Sequence, residues 1–226
     1  AFALAGAQLD LRPLARFCQQ LSPVKFSPAD WLQCAALDLP VNRADLKDER
    51  VSQVVVMNPL TGLLFGDQGL NQVKLPTLMF ASTHDGVTPV AEQQLHPFNE
   101  LPGQKYLVTM IGGSHLSVGD PENLNSELAR IPFMPELPNE KTRRLRSFVQ
   151  GVSLSFIMQQ TPRADDYRNI LTPNYAQLYS TSDLPLRLTQ ELPESLTNWP
   201  RLQTDALHHQ EKLRTYLPSL LHLEAI

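Results

Sequence analysis

The sequence predicts an α/β protein with a parallel, doubly wound sheet, a helical lid-like insertion and a helical C-terminal extension. Two nearly continuous apolar runs, residues 75–82 and 105–111, are typical of strands covered on both faces. Residues 51–57 are rich in β-branched side chains and predict a further, central strand. A short helical pattern at residues 89–96 separates the two apolar runs, so we expect right-handed parallel crossovers.

The overall composition excludes several classes of function. The chain has 226 residues, enough for one large domain or for a domain with an extension. Its net charge of −4 argues against a nucleic-acid partner, because such binding depends on a basic surface. No apolar run approaches the roughly 20 residues of a membrane-spanning helix. Its 19 prolines exceed the usual level of about 5%, so we expect long ordered loops.

The N-terminal part predicts a helix followed by an insertion. Residues 1–9 are rich in alanine and predict a small-residue helix that packs closely on the sheet. Neither an initiator methionine nor a capping residue precedes this helix, so we expect a sheet that is incomplete at the N-terminus. Residues 10–50 are polar and interrupted by prolines, with helical patches at 14–20 and 28–36. We interpret residues 10–50 as the lid-like insertion.

Both cysteines, Cys18 and Cys34, lie in this insertion. They are too few and too far apart for a zinc site of the usual spacing. The sequence favours neither of two alternatives: the cysteines are buried free thiols, or they form a disulfide that closes the segment between them. A disulfide would favour an extracytoplasmic location, either periplasmic or secreted, because cytosolic thiols are kept reduced.

The character of the sequence changes after about residue 120, where a proline-rich connection leads into helical segments. We therefore divide the chain into a sheet-bearing part, residues 1–135, and a helical extension, residues 136–226. The extension begins with a basic run at residues 141–146. Such a run is usually a solvent-exposed helix face, and the alternative interpretation is peripheral contact with a membrane. Helical periodicity is present in three segments: residues 141–160, 163–180 and 212–223.

Two polar residues follow the two buried strands. Asp85 begins an Asp-Gly-Val-Thr-Pro turn after residues 75–82, and His115 follows a Gly-Gly-Ser turn after residues 105–111. Singly, Asp85 would be explained as a helix cap or Asx turn, and His115 as a loop histidine. Neighbouring parallel strands end at one rim of the sheet, so together the residues can place an imidazole against a carboxylate. Acid before histidine is the order of the last two members of an α/β-hydrolase triad.

These motifs resemble those of the α/β-hydrolase superfamily. The chain is similar to the C-terminal portion of bacterial dienelactone-hydrolase-like and platelet-activating-factor-acetylhydrolase-like esterases. Asp-x-Val-Thr-Pro and Gly-x-Ser-His-x-Ser are moderately specific markers of the superfamily. The resemblance implies a sheet of α/β-hydrolase type and hydrolysis of a carboxylic ester. The matching stretches are residues 51–59, 75–89 and 105–117, with weaker likeness at 153–156 and 167–179.

The resemblance also implies a Ser-His-Asp triad. Asp85 would fix the tautomer of His115, and His115 would take the proton of a serine hydroxyl. In this family the serine lies in a Gly-x-Ser-x-Gly turn between a strand and a helix. Ser153 lacks the second glycine, the serines beside His115 follow the acid, and neither cysteine lies in such a turn. Because residues 1–7 look like the helix after this turn, we expect the nucleophile upstream of Ala1, in the N-terminal part of the same hydrolase domain. The 226-residue chain alone is predicted to be inactive.

Three apolar residues between glycines, Leu63, Leu64 and Phe65, precede the acid-bearing strand. Such residues usually pack in the core. In a hydrolase, however, the loop at this position overhangs the active site and can line an acyl pocket. The expected substrate is a small-molecule or lipid ester, or a lactone. We expect no cofactor and no metal, because His208-His209 lacks the His-Glu-x-x-His spacing. The competing hypothesis is a non-catalytic binding module that kept the fold without a nucleophile.

Overall fold

In a computed structural model of the chain, the described residues are 1–20, 27–40, 43–66, 68–119 and 139–197. The helix predicted at residues 212–223 lies outside them. The helices and strands are, in chain order, β1 Leu9–Asp10, α1 Arg12–Gln20, α2 Pro28–Cys34, β2 Arg43–Ala44, β3 Val54–Met57, β4 Thr77–Ser82, a π-helix Ala91–Leu95 continued by α3 His96–Glu100, β5 Lys105–Met110, α4 Asn139–Met158, α5 Ala164–Tyr167, α6 Pro173–Tyr179, β6 Leu186–Thr189 and α7 Glu194–Thr197.

The main sheet has four strands in the order β3-β4-β5-β6. Strands β3, β4 and β5 are parallel, with Val54 opposite Thr77 and Thr77 opposite Lys105. Strand β6 is antiparallel to β5, with Met110 opposite Leu186. The chain is therefore an α/β protein with a mixed, mostly parallel sheet. The predicted parallel strands are confirmed, whereas the prediction of a wholly parallel sheet is wrong because β6 adds an antiparallel edge.

Strand β3, predicted to be central, lies at an edge of the sheet that the described residues form. Its Val54 N–H donates to Pro76 O and Asn58 N–H donates to Phe80 O, both at 2.9 Å. Since alternate residues of a strand point their backbone groups to opposite sides, Val55 and Met57 face away from β4. No strand within the described ranges pairs with this second side of β3.

One face of the sheet is covered by regular helices of the C-terminal part. Alternate residues of β4 and β5, Leu78, Phe80, Val108 and Met110 among them, are fully buried against α4 and α6. Helix α4 buries side chains at helical spacing, which is the pattern of an amphipathic helix packed along one stripe. The buried apolar residues of α4 are Leu145, Phe148, Val149, Val152 and Phe156.

The opposite face is covered by short segments of the N-terminal half. Met79, Ala81 and Leu107 of the sheet lie in one core with Phe2, Leu11, Leu14, Phe65 and Phe98. Both faces of the sheet are thus buried, which explains the continuous apolar runs of β4 and β5.

The helix predicted over residues 1–9 is wrong. Ala3–Ala5 forms a single 3-10 turn, and Gly6 ends it in the left-handed region at φ 100°. The chain then continues into β1, which pairs with β2 in a separate two-stranded antiparallel sheet. Burial of Phe2, Ala5 and Ala7 on the main sheet outweighs the helical preference of alanine in this segment.

The insertion at residues 10–50 contains the two predicted helices. Helix α2 begins at a capping box in which Ser27 and Asp30 exchange side-chain to backbone hydrogen bonds, and Pro28 follows the cap. Cys18 of α1 and Cys34 at the end of α2 form a disulfide. None of the helices in the described ranges is long and apolar enough to span a bilayer.

The extension predicted to be helical contains α4, α5 and α6, as expected, but also strand β6. Leu184, Leu186 and Leu188 are buried at alternate positions, which is the period of a strand. Because β6 pairs with β5 at one edge of the main sheet and α4 packs on the sheet, the extension shares one core with the sheet-bearing part.

Candidate functional site

The structure brings Asp85 and His115 together at the carboxyl ends of β4 and β5. His115 Nδ1 lies 2.8 Å from Asp85 Oδ2. The Asp85 side chain is fully buried, whereas 28% of the His115 side chain remains exposed. The spatial pairing predicted from strand order is therefore present, and the imidazole retains access to solvent.

Direct hydrogen bonds join the two loops that carry these residues. His84 N–H donates to Gly113 O, and Gly112 N–H donates to Thr83 Oγ1, both at 2.8 Å. Gly112 has φ 85°, a backbone conformation that residues other than glycine rarely adopt, so it allows the sharp turn after β5. His115 then opens a 3-10 turn, His115–Val118, which is capped by Ser114. The backbone on both sides of the pair is thus fixed.

The carboxylate of Asp85 receives four hydrogen bonds. Oδ1 accepts from the backbone N–H groups of Val87 and Thr88, both at 2.8 Å. Oδ2 accepts from the Thr88 hydroxyl at 2.7 Å and faces His115 Nδ1. An ionised carboxylate only accepts hydrogen bonds, so His115 Nδ1 is the donor in this pair. The lone pair of the neutral imidazole is then on Nε2.

Asn58, which the sequence did not single out, ties the end of β3 to the histidine loop. It adopts φ 43°, and its Nδ2 donates to the backbone oxygen of His115 at 2.9 Å. Asn58 O also lies 3.2 Å from the Thr88 hydroxyl. Asparagine tolerates a positive φ better than most residues with a side chain, but the following proline favours an extended backbone, so the sequence did not signal this conformation.

Two consecutive buried glutamines on the π-helix, Gln93 and Gln94, were also missed. Gln93 Oε1 accepts from the backbone N–H groups of Thr61, at 3.0 Å, and Gly62, at 2.7 Å. Gln94 Nε2 lies 3.0 Å from both the carbonyl oxygen and the hydroxyl of Thr88. The π-helix therefore connects the loop of residues 60–66, the residue 60s loop, to the loop that bears Asp85. The sequence carries little signal for this role, because Glu92 precedes the glutamines and the whole Glu-Gln-Gln run is typical of an exposed helix face.

The insertion contacts both of these loops through helix α2. Ala29 N–H donates to Val87 O at 3.0 Å, in the loop that follows Asp85. The buried Gln33 accepts from Leu63 N–H through Oε1 at 2.7 Å. Helix α2 is therefore docked beside the Asp85 loop, and the disulfide anchors its far end to α1.

The three apolar residues of the predicted pocket have different surroundings. Phe65 is buried in the core and meets Phe2 edge to face, with ring centroids 6.3 Å apart. Leu63 and Leu64 are half-buried at the rim of the same core. A cavity of about 640 Å³ beside β1 and α1 is lined by Phe65 and by polar residues such as Gln8 and Arg16. Neither Asp85 nor His115 lines it, so a role for Leu63, Leu64 and Phe65 in substrate binding stays a prediction.

Glu92 is the titratable group of the π-helix. Burial, with a smaller contribution from the neighbouring Asp30 carboxylate, raises the pKa of Glu92 to about 7. Its Oε2 atom is buried and has no hydrogen-bond partner within the described ranges. Glu92 and Asp30 thus place two carboxyl groups at the contact between the π-helix and α2.

Among the described residues, the serines and cysteines weighed as nucleophiles have other roles. Ser114 and Ser117 form the cap of the 3-10 turn, with Ser117 Oγ accepting from Ser114 N–H at 2.8 Å. Ser153 lies inside α4, and both cysteines are oxidised. In the part of the chain that the structure describes, three or more His, Cys, Asp or Glu side chains nowhere gather as a metal site would require.

The fold and the site define the class of this protein. It is an α/β protein that carries a buried carboxylate hydrogen-bonded to a partly exposed imidazole at the carboxyl rim of its sheet. No protein-family model and no curated protein sequence matches the chain.

Proposed function

We propose that the chain is the C-terminal part of a serine hydrolase of the α/β-hydrolase type that cleaves carboxylic esters. The observation that carries this proposal is the 2.8 Å contact between His115 Nδ1 and the buried Asp85 carboxylate. It leaves the Nε2 lone pair of a partly exposed imidazole available for a proton. The resemblance of Asp-x-Val-Thr-Pro and Gly-x-Ser-His-x-Ser to superfamily motifs agrees with this assignment.

In the proposed reaction, His115 Nε2 removes the proton of a serine hydroxyl while the serine oxygen attacks the ester carbonyl carbon. Asp85 stabilises the imidazolium that forms and keeps it oriented. The proton on Nε2 then passes to the departing alcohol as the carbon–oxygen bond of the ester breaks. Water, deprotonated in the same way, releases the carboxylic acid and restores the serine.

The proposal needs a hydroxyl from outside the described residues. The helix expected at residues 1–9 no longer supports a nucleophile just upstream, because that segment is a 3-10 turn followed by β1. Support comes instead from the side of β3 that no described strand occupies. A parallel strand added there would end at the same rim as β4 and β5, where Asp85 and His115 lie. We assign that strand to the N-terminal part of the same hydrolase domain.

The proposed substrate is a small-molecule or lipid ester, or a lactone. Half-buried Leu63 and Leu64 offer apolar surface for an acyl group, and Leu63 is hydrogen-bonded to α2 through Gln33. Because the insertion is docked on the Asp85 loop through Ala29, we assign it the role of a lid. The Cys18–Cys34 disulfide supports an extracytoplasmic location.

Fluorophosphonate labelling tests the proposal in a protein that comprises this chain together with its N-terminal part. We expect covalent labelling of a single serine, abolished by His115→Ala and slowed about 10⁴-fold by Asp85→Asn. His84→Ala is the matched control, because His84 is an exposed histidine of the same rim and should leave labelling unchanged. The 226-residue chain alone should not react. Labelling that survives His115→Ala, or a serine of this chain as the labelled residue, would refute the proposal.

The second candidate is a binding module that kept the fold and lost the nucleophile. It is favoured by one observation: the hydroxyl groups of Ser114 and Ser117 are engaged in the cap of the 3-10 turn. The same experiment separates the two, since a folded protein whose added strand carries no reactive serine would remain unlabelled.

A further inference from the structure

The hydroxyl of Thr88 has four polar neighbours at the centre of the site. Its Oγ1 lies 2.7 Å from Asp85 Oδ2 and 3.0 Å from Gln94 Nε2. It also lies 3.2 Å from Asn58 O and 3.3 Å from His115 Nδ1. Thr88 is 3% exposed, so these contacts replace those with water. A turn cap needs only the backbone N–H of Thr88, which already binds Asp85 Oδ1, so capping does not explain the hydroxyl.

The orientation of Gln94 determines how the Thr88 hydroxyl is used. The Gln94 side-chain atom beside Thr88 lies 3.0 Å from the Thr88 carbonyl oxygen, which can only accept. That atom must therefore be the amide nitrogen, and it also donates to Thr88 Oγ1. The hydroxyl has a single proton, which goes to the closest and charged acceptor, Asp85 Oδ2.

This assignment leaves His115 Nδ1 with a single role. Thr88 has no second proton to offer, so Nδ1 cannot accept from it and must carry its own proton toward Asp85 Oδ2. Oδ2 then receives one proton from Thr88 and one from His115, while the two backbone N–H groups hold Oδ1. The carboxylate is fixed in rotation by donors on both of its oxygens.

We propose that Thr88, held by Gln94, is a positioning residue: it holds the Asp85 carboxylate against His115 and so strengthens the preference of His115 for the tautomer with its proton on Nδ1. The π-helix serves this arrangement, because it directs Gln94 at Thr88 while the adjacent Gln93 binds the residue 60s loop. The inference rests on the proposed function for one point, the use of this tautomer: with its proton on Nδ1, His115 has Nε2 free to act as a general base.

The test is ¹⁵N and ¹H NMR of the His115 imidazole in the 226-residue chain, at a pH where the imidazole is neutral. In the unaltered chain we expect the Nδ1–H tautomer and a slowly exchanging Nδ1 proton. Thr88→Val keeps the shape of the side chain and removes the hydroxyl. We expect it to lower the ratio of Nδ1–H to Nε2–H tautomer about tenfold, the scale of one hydrogen bond to a charged group.

Two variants separate positioning from general destabilisation. Thr88→Ser retains the hydroxyl and should restore the tautomer ratio. Thr77→Val is the matched control, because it removes another buried threonine hydroxyl, bonded to Leu75 O and remote from the pair. It should leave the His115 resonances as in the unaltered chain.

An unchanged His115 tautomer ratio and exchange rate in folded Thr88→Val would overturn the proposal. If Thr88→Val does not fold, Gln94→Met removes the amide that directs the hydroxyl, and the same shift toward Nε2–H is expected; its absence is equally decisive. The measurement needs no turnover, so it can fail while serine labelling succeeds, or succeed while labelling fails.

Discussion

The two faces of the sheet are covered in different ways. One face is packed by the 20-residue helix α4 and by α6, with the aromatic residues Phe148 and Phe156 fully buried. The other is covered by 3-10 turns, loops, the insertion and a π-helix, and it carries buried polar residues such as Gln33 and Gln93. Both faces are stabilised by apolar packing, and the second adds hydrogen bonds between buried glutamine side chains and the backbone. The irregular face therefore carries the polar contacts that hold the loops around the Asp85–His115 site.

The largest effect is expected on the regular face. Phe148→Ala empties a fully buried site between the sheet and α6, where Phe148 contacts the rings of Tyr175 and Tyr179. We expect the free energy of unfolding, measured by urea denaturation, to fall by about 3–5 kcal/mol. Leu154→Ala on the exposed side of the same helix is the control and should cost less than about 0.5 kcal/mol. Similar losses in the two variants would show that Phe148 is not buried between the sheet and α6.

A smaller effect is expected from the insertion, whose two helices are joined by the Cys18–Cys34 disulfide across 16 residues. A loop of this length predicts that replacing both cysteines by serine lowers the free energy of unfolding by about 3 kcal/mol. The parent chain should show no free thiol when unfolded without reductant, and two after reduction. Free thiols in the unreduced, unfolded chain would show that the disulfide does not form in solution.

The contact between α2 and the π-helix should make stability depend on pH. The pKa of Glu92 is raised from 4.5 to about 7. Between these two pH values the native state therefore keeps a proton on Glu92 that the unfolded state has lost. Stability is therefore full below about pH 4.5 and falls as the pH rises through 7, where Glu92 ionises in the native state. The expected loss between pH 5 and pH 8 is about 2–3 kcal/mol.

Glu92→Gln should remove this dependence and raise the free energy of unfolding at pH 8 while changing little at pH 5. Urea denaturation at the two pH values measures the difference. Glu49→Gln alters an exposed glutamate paired with Lys47 and should shift stability by less than about 1 kcal/mol at either pH. A Glu92→Gln variant with the pH profile of the unaltered chain would show that Glu92 is solvated in solution.

The sequence predicted those parts of the fold that depend on apolar runs and on chain order. Strands β3, β4 and β5 were located because their runs are long and β-branched or continuously apolar. The contact between Asp85 and His115 followed from their places after parallel strands. Strand β6 was missed because its alternation covers only four residues between polar segments.

Other features depend on partners that are distant in sequence. Asn58 meets His115 across 57 positions, and Gln33 meets Leu63 across 30, so neither contact leaves a local pattern. The disulfide was left open because spacing alone does not bring Cys18 and Cys34 together. The N-terminal helix was wrong because alanine content was weighed without the tertiary burial of Phe2.

The uncovered side of β3 has a practical consequence for making this chain. Val55 and Met57 present backbone groups on that side without a paired strand among the described residues, and Met57 is 40% exposed. An unprotected strand of this kind is a template for another copy, so the isolated chain is expected to self-associate as its concentration increases. A peptide that pairs with this side of β3 should therefore lower the tendency of the chain to self-associate.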